Sequence, residues 1–435
     1  MHIPLINCAL YIGIGCGILA VILRMQKPLP LYRDPAAIAP LKPSEIPAEL
    51  RGLALAVVEA SARLEGALHP VTALAIADFL RPANSYYSNL IEGHDTHPLQ
   101  IAQALQAQYS PDSRNRSLQL EALAHIAVHR QLPELLEAAA NNPYTEGFWR
   151  TLHRNFYQHL PAEFRWVESW EGNPLEVIPG ELRTTEVQVG QHVAPAAEAL
   201  PGFIRLVEQN YRPQVEHDRL ARVVTVAAAH HRLAWLHPFL DGNGRVMRLF
   251  SDAAFRAEGL AAGGLWSMSR GLARSEKAYK QALAAADAQR YNDYDGRGNL
   301  SEKQLVRFCQ FFLGVALDQI QCMTQVLAID GMLERLQGLV KLMAIKHKWR
   351  PEAYYVLEAV FLKGSIARGE VMRLTGLSDK TAKDLAQQML GAGLLATEAG
   401  NRFAPYRAAY SIEFAPALFP GLYPAGKEVD ILNAG

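Results

Sequence analysis

The chain is 435 residues long, 50% hydrophobic and 20% charged, and its 43 basic and 43 acidic side chains cancel. That length implies two to three folded units with room for a sizeable core, and the cancelled charge gives no pointer to nucleic acid beyond a local basic face on one unit. Cys8, Cys16, Cys309 and Cys322 lack the C-x-x-C spacing of zinc and redox sites and read as reduced thiols.

From residue 3 to residue 23 the chain carries no charge, which is long enough to cross about 30 Å of hydrocarbon as a helix. Pro4, Asn7 and three glycines weaken a helix there, and no Lys or Arg precedes it as a secretory signal requires. Arg24, Lys27 and Arg33 follow, so the positive-inside tendency leaves the remainder in the cytoplasm. Residues 1–24 are a transmembrane or signal-like candidate, with a misassigned start or a tail folded onto the protein as the alternative. The protein is accordingly expected in the cytoplasm, either free or anchored by residues 3–23.

Residues 25–46 are dense in proline, which removes backbone donors and disfavours helix, and they predict a linker or an extended wrapping segment. In 50–68 and 120–140 apolar residues recur at three- and four-residue intervals, predicting an N-terminal helical region over 47–160. Between Trp166 and Pro201 the pattern changes, and Val187, Val189 and Val193 around Gly190 predict a short hairpin. Helical spacing resumes over 217–236, 244–259, 277–290 and 302–327, so 161–330 reads as a helix-bundle core.

After His347, three short helical stretches precede two strand-like ones, with Gly364, Gly376 and Gly391 between elements. This predicts a winged-helix-like unit over 350–420 in a chain that is otherwise mainly α. Arg368, Arg373, Lys380 and Lys383 gather on its second and third helices, which makes DNA a candidate partner, while Asp379 and Asp384 dilute that face. Such units also serve as docking or dimer modules, so a homodimer is the alternative.

The densest constellation of chemistry is His237-Pro238-Phe239-Leu240-Asp241-Gly242-Asn243-Gly244-Arg245-Val246-Met247-Arg248, lying between two helical stretches. Gly242 and Gly244 allow a tight turn close to a ligand, and a helix starting there presents unpaired N–H groups to an anion. Asn243 and Arg245 add donors for phosphate oxygens, and Arg248, three residues on, rises from the same helix face. Asp241 supplies the hard oxygen that Mg²⁺ would need, and His237 is the one group in the run able to take a proton near neutral pH. Acid–base group, metal ligand and phosphate cradle thus stand in one run.

That run resembles, at every defined position, the signature H-P-F-x-[D/N]-G-N-G-R-x-x-R of the Fic/Doc family. The resemblance implies a Fic-fold helix bundle with a β-hairpin flap, and transfer of AMP from ATP to a Tyr, Thr or Ser hydroxyl of a target protein or of the chain itself. It implies that His237 deprotonates the hydroxyl and that Asp241 binds Mg²⁺ (or Mn²⁺) bridging the α- and β-phosphates. Gly242, Asn243, Gly244 and Arg245 would hold the phosphates and Arg248 the γ-phosphate, with Phe239 as an inward anchor. Residues 182–195 resemble the flap, which would put Val189, Gly190, Gln191 and His192 nearest the nucleotide. Tyr279 matches a position that packs on the adenosine, whereas the Asn usual seven residues later is Ala286 here.

Ser88-Asn89-Leu90-Ile91-Glu92-Gly93 resembles the family's inhibitory pattern [S/T]-x-x-x-E-[G/N] in its N-terminal version. In a helix Ser88 and Glu92 lie one turn apart on one face, and the resemblance implies an ion pair of Glu92 with Arg248 that makes ATP bind unproductively. Three alternatives stand beside AMP transfer: a nucleotide-sensing DNA-binding regulator, transfer of another phosphate-containing group, and removal of AMP with Glu92 positioning water. The flanking His230 and His231, adjacent on a helix, face different directions and read as structural. Tyr86 and Tyr87 read as core rather than as self-modification targets.

Overall fold

The computed structural model describes residues 5–7, 31–169, 172–213 and 216–427. The expectation for 3–23 therefore lies outside the described residues except for Leu5–Asn7, as do Cys8 and Cys16. Among the described residues no single helix is long and apolar enough to cross a membrane.

The described part of the proline-dense stretch, residues 31–46, lies against distant elements. Its short 3-10 turn, Pro35–Ile38, is capped by the Asp34 carboxylate, and its carbonyls are met from distant elements because the segment has no partner strand of its own. Tyr32 O accepts from Ala196 N, Ala39 O from Leu300 N, Pro40 O from Arg232 Nε and Leu41 O from the Tyr211 hydroxyl.

Five helices follow, α1 (Ala48–Glu65), α2 (Pro70–Ile91), α3 (Pro98–Leu105), α4 (Ser113–Ala138) and α5 (Glu146–Gln158). Asp112 and Thr145 accept from the first turns of α4 and α5, and α2 and α3 begin on a proline, where the missing N–H costs nothing. The last turns of α2, from Ala83 to Asn89, are buried all round, which marks an interior helix rather than a surface one. It packs against α4 on one side.

Two hairpins separate α5 from the next helix, where the sequence suggested one: β2 (Trp166–Glu168) with β3 (Pro174–Glu176), and β4 (Glu186–Val189) with β5 (His192–Val193). The strand β1 (Leu5–Asn7) pairs in parallel with β4, giving the order β1-β4-β5. Then come α6 (Leu200–Tyr211), α7 (Arg219–Leu236), α8 (Asn243–Ala257), α9 (Met268–Arg274), α10 (Glu276–Ala286), α11 (Glu302–Val326) and α12 (Ile329–His347). The centre is α7, buried continuously from Val223 to Leu233 and packed on α1, α6, α8 and α11, with three successive alanines, 227–229, letting neighbours approach closely.

The C-terminal unit runs α13 (Ala353–Lys363), β6 (Ser365–Ile366), α14 (Glu370–Thr375), α15 (Asp379–Gly391), β7 (Leu395–Ala396), β8 (Tyr406–Ala408) and α16 (Ala415–Leu418). Strand β6, absent from the sequence reading, joins the hairpin in the order β6-β8-β7; two residues are too few to leave a periodic signal. Three of its four noted cations are engaged internally. Arg368 donates to Ala404 O, Thr397 Oγ1 and Asn401 O, Arg373 pairs with Glu370 at 2.8 Å, and Lys383 with Asp379 at 2.7 Å. Beyond α16 the chain returns to α2, where the Tyr87 hydroxyl donates to Leu422 O and Phe419 stacks on Phe79 at 4.7 Å.

Candidate functional site

The site is the junction of α7 and α8. Helix α7 stops because Pro238 cannot continue it, and His237 takes the left-handed conformation (φ 46°, ψ 61°) that normally falls to glycine at a helix end. A non-glycine residue held there costs about 1–2 kcal/mol, which the surrounding contacts must offset. Phe239 is wholly buried and stacks on the His153 ring at 4.1 Å. Asn243 closes the loop on itself, its Oδ1 accepting from Phe239 N at 2.9 Å and its Nδ2 donating to Phe239 O at 2.8 Å. Both ends of that amide serve the loop, which fixes the Asn243 side chain at the start of α8. Gly242 precedes α8 at φ 75°, and an added Cβ would stand 2.7 Å from the Tyr157 ring, so the position admits only glycine.

Two charged residues of the run, Asp241 and Arg245, share one network. Asp241 Oδ2 accepts from the Tyr157 hydroxyl at 2.5 Å and from Arg245 at 3.0 Å. Arg245, buried over the Phe156 ring, also donates to Glu121 of α4 at 3.0 Å, and Glu121 in turn meets His94 Nδ1 at 2.7 Å. Burial alone would raise the Asp241 carboxyl, but Arg245, the Tyr157 hydroxyl and the Gly242 amide outweigh it and hold the group at about 2. Burial, reinforced by His192 and Arg183, pushes the His237 imidazole down to about 3. His237 is therefore neutral at physiological pH, the form in which an imidazole accepts a proton. Among the described residues no group of three or more His, Cys, Asp or Glu side chains is placed to hold a metal ion.

The end of α2 closes over this junction. Arg248, almost fully buried, donates Nε to Ser88 Oγ at 3.0 Å and a terminal nitrogen to both Ser88 O at 2.9 Å and Glu92 Oε1 at 2.7 Å. The Glu92 carboxylate also lies against Gly244, where an added Cβ would collide with it. The start of α8, where unpaired N–H groups and the helix dipole favour an anion, is thus already faced by one. Burial would raise the Glu92 carboxyl, yet Arg248 and Arg245 hold it below its ordinary value, so it is ionised at neutral pH.

The residues expected around the nucleotide fall in two groups. Val189 is half-buried and Gly190 and Gln191 form the exposed two-residue turn of the β4–β5 hairpin. His192, by contrast, is committed, its Nε2 to Trp235 O at 2.8 Å and its Nδ1 to Asp287 at 3.3 Å. Tyr279 is a buried residue whose hydroxyl meets His230 Nε2 at 2.8 Å beside Arg248, and Ala286 is buried with its carbonyl near Arg232. His230 bridges Ser251 and Tyr279, and His231 meets Leu283 O and Asp287, both as core polar links. The Tyr87 hydroxyl is bonded, and both Tyr86 and Tyr87 are buried. Sequence reasoning missed Tyr157, His153, Glu121, His94 and Arg183, all brought to the junction from distant parts of the chain.

With this geometry in view, residues 143–254 match the family model described as Fic/DOC family, and the chain carries a domain of that family there. The chain is similar to a protein named "Protein adenylyltransferase Fic" from Drosophila grimshawi, 29% identical over 182 residues, covering 40% of this chain and 32% of that protein. A protein of the same name from Drosophila yakuba is 39% identical over 90 residues, covering 20% of this chain and 17% of the relative. The chain thus spans a third or less of the length of these relatives. Its fold is similar to the crystal structure of a Fic family protein from Desulfovibrio desulfuricans G20, with a TM-score of 0.50 at 16% identity, covering 85% of this chain and 98% of that one.

Proposed function

We propose that this protein transfers AMP from ATP to a hydroxyl of a target protein or of itself, and that the structure described is its restrained state. The observation that carries the reading is the junction itself: a neutral His237 beside a helix start that favours anions, with Arg248 taken by Ser88 and Glu92. The relatives' name, adenylyltransferase, agrees with that chemistry.

On this reading His237 takes the proton of the incoming hydroxyl, whose oxygen attacks the α-phosphorus as pyrophosphate departs. Phosphate charge brought near the imidazole raises its proton affinity, so a base that is weak in the empty site strengthens when ATP is bound. The N–H groups opening α8 hold phosphate oxygens, and Arg248, once released by Glu92, takes the outermost. Asp241 is an ionised hard-oxygen donor, which suits Mg²⁺ or Mn²⁺ bound by one carboxylate plus substrate phosphates; the ion would offset phosphate charge. Tyr157 and Arg245 hold the carboxylate in place.

The test is incubation of wild type, Glu92→Gly and Glu92→Gly/His237→Ala with Mg²⁺ and α-labelled ATP, with and without cell lysate, read by intact mass. Label at the added mass of AMP that appears with Glu92→Gly and disappears in the double variant supports the reading. Label that survives His237→Ala, or an added mass of phosphate alone, overturns it. The engagement of Arg368, Arg373 and Lys383 within the C-terminal unit weighs against DNA as the partner.

A further inference from the structure

A helix leaves its last carbonyls without partners, and here the hairpin supplies them. His192 reaches Trp235 O in the last turn of α7. Just past the helix, the Arg183 backbone N–H donates to Pro238 O at 3.0 Å and its Nε to His237 O at 2.8 Å. The same guanidinium continues outward, one terminal nitrogen to Thr185 O, just before β4, and the other to Pro195 O, just after β5. Its side chain is wholly buried, with Glu186 3.6 Å away as counter-charge. One planar, five-donor group therefore spans both ends of the hairpin and the carbonyl of the residue held left-handed at the end of α7. A lysine, with one point charge, cannot span the three carbonyls.

We propose that Arg183 is a positioning residue for AMP transfer, holding the β4–β5 hairpin and the His237 base in one fixed register. This rests on the AMP-transfer reading, with the β4–β5 hairpin taken as the flap that would line up the segment bearing the target hydroxyl. Arg183 touches none of the groups assigned to the phosphates. Asp241, Arg245 and Arg248 are fixed by Tyr157, Glu121 and α2 instead. Loosening Arg183 leaves the phosphate contacts, the main hold on ATP, in place and misplaces hydroxyl against base, and a misplacement of the order of 1 Å costs roughly 10²-fold in rate.

The experiment places Arg183→Lys and Arg183→Met in the Glu92→Gly background, measuring ATP affinity by calorimetry, AMP transfer in single turnover, and amide exchange. Expected are ATP affinity within about twofold of the parent and transfer slowed about 10²-fold. Exchange should rise together in 185–195 and at 239–240 while 243–257 stays protected. Unchanged transfer overturns the proposal, and so does a parallel fall of ATP affinity and transfer with lost protection in 243–257, which marks a merely structural arginine. If the Glu92→Gly parent transfers nothing, the functional reading fails on its own. The exchange data then still decide whether Arg183 couples hairpin and loop, since unchanged exchange in Arg183→Lys refutes the coupling.

Discussion

Replacing Glu92 by glycine removes one charge and one hydrogen bond from Arg248 while leaving the start of α8 in place. The bond is charge-assisted at 2.7 Å, but the Glu92 side chain is 34% exposed, so its contribution is discounted to about 1–2 kcal/mol. Removing a carboxylate from a helix N-terminus that must receive phosphate adds about 0.3–1 kcal/mol in favour of ATP. Together these predict a rise in AMP transfer of the order of 10- to 150-fold. Glu92→Gln separates the two contributions, because the amide keeps the volume and a hydrogen bond to Arg248 while losing the charge, and it should give a smaller rise. The assay is initial rate with α-labelled ATP across ATP concentrations for wild type and both variants. Equal rates in all three would refute the inhibitory role of the carboxylate. A Glu92→Gln rate equal to that of Glu92→Gly would refute the hydrogen-bond part of the reasoning and leave only charge.

Ser88→Ala removes one of the hydrogen bonds from Arg248 to α2 and should raise transfer severalfold, corresponding to about 1 kcal/mol, in the same rate assay. Arg248→Ala also frees α2 but takes away the proposed phosphate holder, so transfer should not exceed wild type even with Glu92→Gly present. Gly242→Ala forces a Cβ onto the Tyr157 ring at a positive φ, and chemical denaturation should show a loss of about 2 kcal/mol or more. His153 is buried with its imidazole pushed down to about 4, chiefly by burial. Since the unfolded chain binds its proton near 6.5, this neutral histidine stabilises above that pH and the contribution is lost as pH falls toward 4. The unfolding free energy from denaturant titration should therefore fall between pH 7 and 5 by roughly 2 kcal/mol from this group, and His153→Gln should flatten that slope.

The parts of the site that could be read from the sequence are those whose chemistry is local. The turn between α7 and α8 is written in consecutive residues, Pro238 stopping one helix and Gly242 admitting the close approach before the next. Ser88 and Glu92 stand out by their resemblance to the family's inhibitory pattern, and helix spacing adds only that they share one face. The loop contacts of Asn243 were not legible: its amide binds the backbone N–H and carbonyl of Phe239 four residues earlier, a closure that donor chemistry alone does not announce. Tyr157, Glu121 and Arg183 left no signal, since an aromatic on an amphipathic helix reads as core, and a single carboxylate or arginine reads as surface until tertiary contacts pair it. The second hairpin and strand β6 escaped because two or three residues carry no period.

The collision that a side chain at Gly244 would make with Glu92 bears on how this protein can change over time. On the proposed reading the Glu92 carboxylate and the phosphates compete for the same space, and both depend on the same missing side chain. Any substitution at that glycine that evicts the inhibitor fills the space the phosphates need. Variants that are permanently switched on are therefore to be sought along α2 and the C-terminal stretch packed against it, where Tyr87 meets Leu422, and not within the catalytic run. On the proposed reading, restraint can be lost by drift at the helix, whereas the glycine that admits the restraining carboxylate persists as long as AMP transfer is kept.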